Sequence, residues 1–161
     1  GQGRAETEGG MPVRRSKMIK LRCRRVVGGR GEGVALMSEK PISFLEGVDV
    51  ETGVITDPET GLQGESVSGR VLVFPWCRGS TVGTYAIYGL ARNGVAPSAI
   101  VCVEADIISA VGCAMAGIPL VHRVERNPLE VIGNGDYVVV DADRGILEVR
   151  SRTSVEGSRR P

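Results

Sequence analysis

Aromatic residues make up only 4% of this 161-residue chain, against 23 glycines, so small side chains and tight turns are expected to shape its fold. Nor is there an excess of charge of either sign. A net charge of +1 gives no electrostatic case for a nucleic-acid or anionic membrane partner. No apolar run approaches the roughly 20 residues that span a bilayer. Cys23, Cys77, Cys102 and Cys113 never form a C-x-x-C pair, so neither a zinc site nor a redox pair is signalled. Scattered thiols in a chain of this size read as reduced cysteines, and the expectation is a cytoplasmic protein. G-x-x-x-x-G-K-[ST] is absent, and Gly79-Ser80-Thr81-Val82-Gly83 is not G-x-S-x-G. The one histidine, His122, falls at the end of an expected strand and reads as structural.

What is present suits a single domain. Residues 1–17 lack apolar periodicity and are expected to form a disordered extension, residues 18–150 the folded domain, and 151–161 a flexible tail. Loose alternation from Ile19 to Val27 reads as one strand. Gly28 to Gly33 has the glycines of a dinucleotide fingerprint, but Val34 to Met37 follows as a strand where a helix is needed. A hairpin turn is therefore expected there. Residues 40–69 are interrupted by Pro and Gly too often for a sizeable element, yet Ile42, Phe44, Leu45, Val48, Val54 and Ile55 argue that this loop packs down.

Val71 to Phe74, Ala99 to Val103 and Leu120 to Val124 are continuous apolar strands separated by two helical stretches. The second of these reads Ile107 to Ala116, begun by Asp106 and closed by Gly117. Strand–helix–strand–helix–strand in this order predicts parallel pairing. Pro128 to Ile132, Tyr137 to Asp141 and Ile146 to Arg150 are expected to close the chain with β structure. The result is an α/β domain, barrel-like or β/β/α in plan, with a short parallel βαβαβ core flanked by strands.

Ser80 stands where the first helix is expected to begin, and helix N-termini favour anions. A hydroxyl is a poor base, and serves only if helix N–H groups and a cation such as Arg78 stabilise its alkoxide. Arg78 also suits a carboxylate or phosphate clamp, and Gly79 lets a backbone approach a ligand. The alternatives are plain: serine is a favoured N-cap, worth about 1 kcal/mol, and a loop arginine is commonly solvated. Asp49 and Asp57 are further acid/base candidates, although Asp57-Pro58 fits a turn initiator. Cys77 reads as a small loop residue. The spacing Val82, Ala86, Leu90, with Tyr85, predicts the helix's core face.

Ser43-Phe44-Leu45-Glu46-Gly47-Val48-Asp49-Val50-Glu51-Thr52-Gly53-Val54-Ile55 is followed by Gly64-Glu65-Ser66, Val71 to Pro75 and Arg78-Gly79-Ser80-Thr81-Val82-Gly83-Thr84-Tyr85. With Arg92-Asn93-Gly94, Ala96-Pro97 and Ala114 to Pro119, this order resembles the small subunit of the aconitase X family over residues 20–122. Trp76-Cys77 departs from the pattern, since relatives carry smaller or basic residues there. The resemblance implies a swivelling β/β/α domain of aconitase-like type. It also implies a large catalytic subunit as partner, carrying a [4Fe-4S] cluster, with no metal bound by this chain. The implied reaction is loss of water from a carboxylate and phosphate substrate, 5-phosphomevalonate, giving trans-anhydromevalonate 5-phosphate in an archaeal mevalonate route. Ser80 is then the proton acceptor, with Arg78, Gly79 and Thr81 binding substrate. Two other readings fit the same residues: a dehydratase for another hydroxy acid such as a hydroxyproline, or a non-catalytic module that holds an anion at Ser80.

Overall fold

In the computed structural model, which describes residues 17–152, the apolar runs become strands of one eight-stranded sheet. Its strands are β1 (Met18–Arg22), β2 (Arg24–Val27), β3 (Arg30–Met37), β4 (Val71–Phe74), β5 (Ala99–Cys102), β6 (Leu120–His122), β7 (Tyr137–Asp141) and β8 (Ile146–Arg150). The helices are α1 (Phe44–Gly47), α2 (Gly83–Arg92), α3 (Ile107–Ala116) and α4 (Pro128–Val131). The expectations on residues 1–16 and 153–161 lie outside the described residues.

The order across the sheet is β1-β8-β7-β3-β4-β5-β6-β2. β4, β5 and β6 are parallel, joined by α2 and α3 as the apolar strand–helix pattern predicts. β3 is shared between two halves. Its residues Arg30 to Val34 pair antiparallel with β7, while Ala35 to Met37 pair parallel with β4. β1 and β2 stand at opposite ends of the order, yet only Cys23 separates them. Consecutive Cα atoms are about 3.8 Å apart, so the two edges must meet and the sheet curls into a barrel.

Alternation then divides the side chains between two cores. Ala35, Val71, Val73, Ala99, Val101 and Val121 join one cluster with Val138, Val140, Leu147 and Val149. Leu36, Leu72, Phe74, Ile100, Cys102 and Leu120 join the other, with Ile87 and Leu90 of α2 and Ile108 and Cys113 of α3. Both faces of β4 and β5 are covered, which is why they read as unbroken apolar runs. α3 is capped as expected: the Asp106 side chain accepts from Ser109 N–H, and Gly117 ends the helix at φ 73°.

Several expectations are corrected. Ile19 to Val27 is not one strand, because the chain leaves β8 at Cys23 to pair with β6. Gly28 to Gly33 is not a hairpin turn either. β2 and β3 do not pair, and Gly31 and Gly33 lie within β3. A Cβ at Gly31 would run into the carbonyl oxygen of Ser98, and one at Gly33 into that of Gly69, so these glycines serve close backbone approach. Pro128 to Ile132 is helical over Pro128–Val131, because Asn127 caps Leu129 N–H and Pro128 takes the first helical position. Residues 40–69 do pack down through Ile42, Phe44, Val48 and Ile55, while Leu45 is exposed. Phe44 meets Phe74 edge-on, with centroids 5.9 Å apart, which pins this loop to the end of β4.

Gly31→Ala is expected to lower stability by about 1–3 kcal/mol, the usual cost of overpacking, because the Ser98 carbonyl it would meet is main chain and cannot step aside. Thermal or denaturant unfolding of the variant against the wild type checks this.

Candidate active site

Parallel strands place their carboxyl ends on one edge, the usual location of ligands in open α/β sheets. Here that edge carries the segment from Pro75 to Val82, leaving β4 and entering α2. Pro75 is anchored to the neighbouring strand, its carbonyl accepting Val103 N–H at 3.1 Å and Glu104 N–H at 3.2 Å. On the other side, Ile42 N–H donates to Trp76 O and Arg78 N–H to Ile42 O, so Cys77 bridges to the 40–69 loop. Gly79 has φ 102°, which a side chain would strain, and it turns the chain outward to an exposed Ser80.

Ser80 is not the N-cap of α2. The helix begins at Gly83 behind a turn in which Ser80 O accepts Gly83 N–H at 2.9 Å. Thr84 and Tyr85 N–H groups are likewise taken, by Thr81 O and Val82 O. The expected array of free helix N–H groups aimed at an anion is therefore engaged within the turn. One N–H does serve the hydroxyl: Val82 N–H donates to Ser80 Oγ at 3.1 Å. Thr81 beside it is exposed.

Arg78 does not stand free. Its guanidinium donates to Asp57 Oδ2 at 3.2 Å, while Asp57 Oδ1 accepts Glu59 N–H. Asp57 does initiate a turn, and it also ties the long loop to the serine segment. Sequence reasoning saw the first role and missed the second. It also missed Ser43, whose Oγ would lie 3.5 Å from a Cβ built at Gly79, and Asp106, whose carboxylate accepts Cys77 N–H at 2.7 Å. Their separation in sequence, 43, 57, 78–81 and 106, left no local signal. Asp49 accepts from Glu51 and Thr52 N–H groups and shapes its own turn.

Two other groups lie on the carboxyl edge. His122 Nδ1 accepts Ala105 N–H at 2.9 Å, which marks it as a structural acceptor. Arg123, with φ 51°, makes a two-pronged ion pair to Glu104 at 2.8 and 3.0 Å.

The cysteines are free thiols. Burial pushes Cys77 up to about 12 and Cys23 to about 11, and it raises Cys102 and Cys113 well above the usual thiol value. Cys77, Cys102 and Cys113 are buried, and Cys23 is half-buried. No group of three His, Cys, Asp or Glu side chains among the described residues is arranged to hold a metal ion. No helix among them is long and apolar enough to cross a membrane.

Around the turn the surface is apolar. Tyr85 is 66% exposed, Val82 51%, Leu45 48% and Trp76 47%. Tyr85 and Val82, expected in the core, instead help line a groove of about 510 Å³ with Leu45, Val48, Val50 and Ala86. The face of α2 that packs inward is Gly83, Thr84, Ile87 and Leu90, with Ile87 seated against Gly112 of α3. The departure at Trp76-Cys77 thus resolves into one exposed ring beside the turn and one buried thiol beneath it.

A family model described as the aconitase X swivel domain matches residues 20–149. A phosphomevalonate dehydratase small subunit from Thermococcus gammatolerans is 49% identical over 131 residues, covering 81% of this chain and 98% of the relative. One from Methanocella arvoryzae is 48% identical over 131 residues, covering 81% and 99%. Among solved structures, holo-form aconitase X from Thermococcus kodakaraensis superposes with a TM-score of 0.77 at 46% identity. That match covers 81% of this chain and 98% of that one.

Partial burial lowers the pKa of His122, and Arg123 and Arg24 act in the same direction against Glu104. Its contribution to stability is therefore complete above the unfolded value near 6.5 and is lost as pH falls through that value toward the folded one. Unfolding free energy measured from pH 7 to 5 is expected to fall less steeply in His122→Gln, which keeps an acceptor without the titration.

Proposed function

The chain belongs to the aconitase X swivel domain family, and from that premise we propose that it is the small subunit of a heteromeric hydro-lyase. The reaction is dehydration of (R)-5-phosphomevalonate to trans-anhydromevalonate 5-phosphate in an archaeal mevalonate route. The relatives' name, phosphomevalonate dehydratase small subunit, supports phosphomevalonate as the substrate. The observation that carries the role of this chain is the exposed Ser80 hydroxyl, aimed outward on a turn held from two sides.

Loss of water requires removal of the proton on the carbon beside the carboxylate and departure of the hydroxyl from the next carbon. Ser80 Oγ takes that proton as the carbon–carbon double bond forms and the carbon–oxygen bond breaks. The Val82 N–H on Ser80 Oγ favours the alkoxide. The Arg78 charge lies close by in sequence and is half-exposed, its position set by Asp57. Gly79 and Thr81 offer backbone and hydroxyl to the substrate. The departing hydroxyl needs a Lewis acid, and in this reading a [4Fe-4S] cluster held by the large subunit would supply it.

The surroundings of Ser80 support a subunit interface at the site. Exposed Leu45, Trp76, Val82 and Tyr85 are costly in water and suited to cover by another chain. Asp57 and Arg78 bring an ion pair to the same place.

Ser80→Ala, reconstituted with the large subunit, is expected to lose at least about 100-fold in kcat with assembly intact, the lower end of what a general base contributes. Near-normal turnover would remove Ser80 from the chemistry. Turnover of a hydroxyproline in place of 5-phosphomevalonate would replace the substrate. Separately, Tyr85→Glu is expected to weaken association with the large subunit at least 10-fold without lowering the thermal midpoint of the free chain. Titration calorimetry and unfolding scans measure the two effects.

A further inference from the structure

The segment that presents Ser80 has no regular structure from Pro75 to Val82, so its position must come from contacts outside itself. Several of these are main-chain bonds to the neighbouring strand and the 40–69 loop. One is a side chain from another helix: Asp106 Oδ1 accepts Cys77 N–H at 2.7 Å, across 29 positions of sequence. That bond is charge-assisted and lies three residues before Ser80.

Asp106 does more than its place as the α3 N-cap requires. Capping uses one oxygen, and Oδ2 does this by accepting Ser109 N–H at 3.0 Å. The other oxygen accepts two donors, Cys77 N–H at 2.7 Å from outside the helix and Ser109 Oγ–H at 2.6 Å from its first turn. Ser109 is fully buried, and its Oγ lies 3.0 Å from Cys77 Sγ, so the oxygen is locked toward the serine segment. Asparagine or serine would cap α3 as well as aspartate. Neither reproduces the pair of bonds. Asparagine has a single acceptor oxygen, and turning its NH₂ toward Cys77 N–H would set donor against donor. Serine is too short to reach past its own cap.

We propose that Asp106 is a positioning residue for Ser80, its second carboxylate oxygen fixing the backbone at Cys77 and thereby the reach of the turn. The inference rests on the assignment of Ser80 as proton acceptor. α3, which contributes no atom to the substrate in that assignment, then sets the geometry of the base from below.

Asp106→Asn and Asp106→Ser separate the cap from the tether. In the full chain assembled with its large subunit, both are expected to keep KM within about 3-fold while kcat falls roughly 10- to 100-fold, the penalty for a misplaced reacting group. In the labelled full chain, exchange of the Cys77 amide is expected to rise at least 10-fold, while the Val101 amide in β5 stays protected. A merely structural role would instead lower the thermal midpoint and raise exchange throughout α3.

Wild-type kcat in both variants, with Ser80→Ala inactive, overturns the inference and leaves the serine assignment standing. Active Ser80→Ala removes the serine assignment and, with it, the catalytic purpose of the tether. Should both Asp106 variants unfold, the wild-type chain still decides. A scalar coupling across the hydrogen bond, from the Cys77 amide nitrogen to the Asp106 carboxyl carbon, is expected, and its absence overturns the tether.

Discussion

Closure of the sheet at Cys23 is the constraint on which the rest of the molecule depends. One residue carries the chain from β1, paired with β8, to β2, paired with β6, and so joins the two ends of an eight-stranded order. A sheet curled this tightly leaves a narrow interior, filled here with Val, Ala, Leu and Ile. Both phenylalanines lie instead in the layer between sheet and helices. The scarcity of rings noticed at the outset is thus a property of the barrel. Wider side chains have no place inside it, and glycines at 31 and 33 let neighbouring backbone come close.

Closure also decides where chemistry can be placed. With β4, β5 and β6 covered on both faces, only the ends of the parallel strands remain open to a ligand. The 40–69 loop, the serine turn, Asp106 and the Glu104–Arg123 pair gather at that end. None of these groups is close to all the others in sequence. The strands bring them together, and hydrogen bonds to Asp57 and Asp106 hold the irregular segments in place.

The parallel core was legible because a strand buried on both faces carries an unbroken apolar run, and α3 because Asp106 and Gly117 mark its ends. The partners of the flanking strands were not legible. Alternation from Ile19 to Val27 tells which faces are apolar but not that the chain changes neighbours midway. α2 misled for a related reason. It has apolar residues on two sides, so spacing alone could not tell the sheet-facing Ile87 and Leu90 from the groove-facing Val82 and Tyr85. Ser80 was found through its motif, while its true setting, a turn ahead of the helix, depended on hydrogen bonds that no spacing rule encodes.

The pairing of β1 with β8 has one more result. Met18 lies opposite Arg150, and Ser151 N–H donates to Lys17 O at 2.8 Å, so the folded unit is entered and left through a single doorway. A unit of this shape can be spliced into a longer polypeptide through two adjacent linkers, with neither core disturbed.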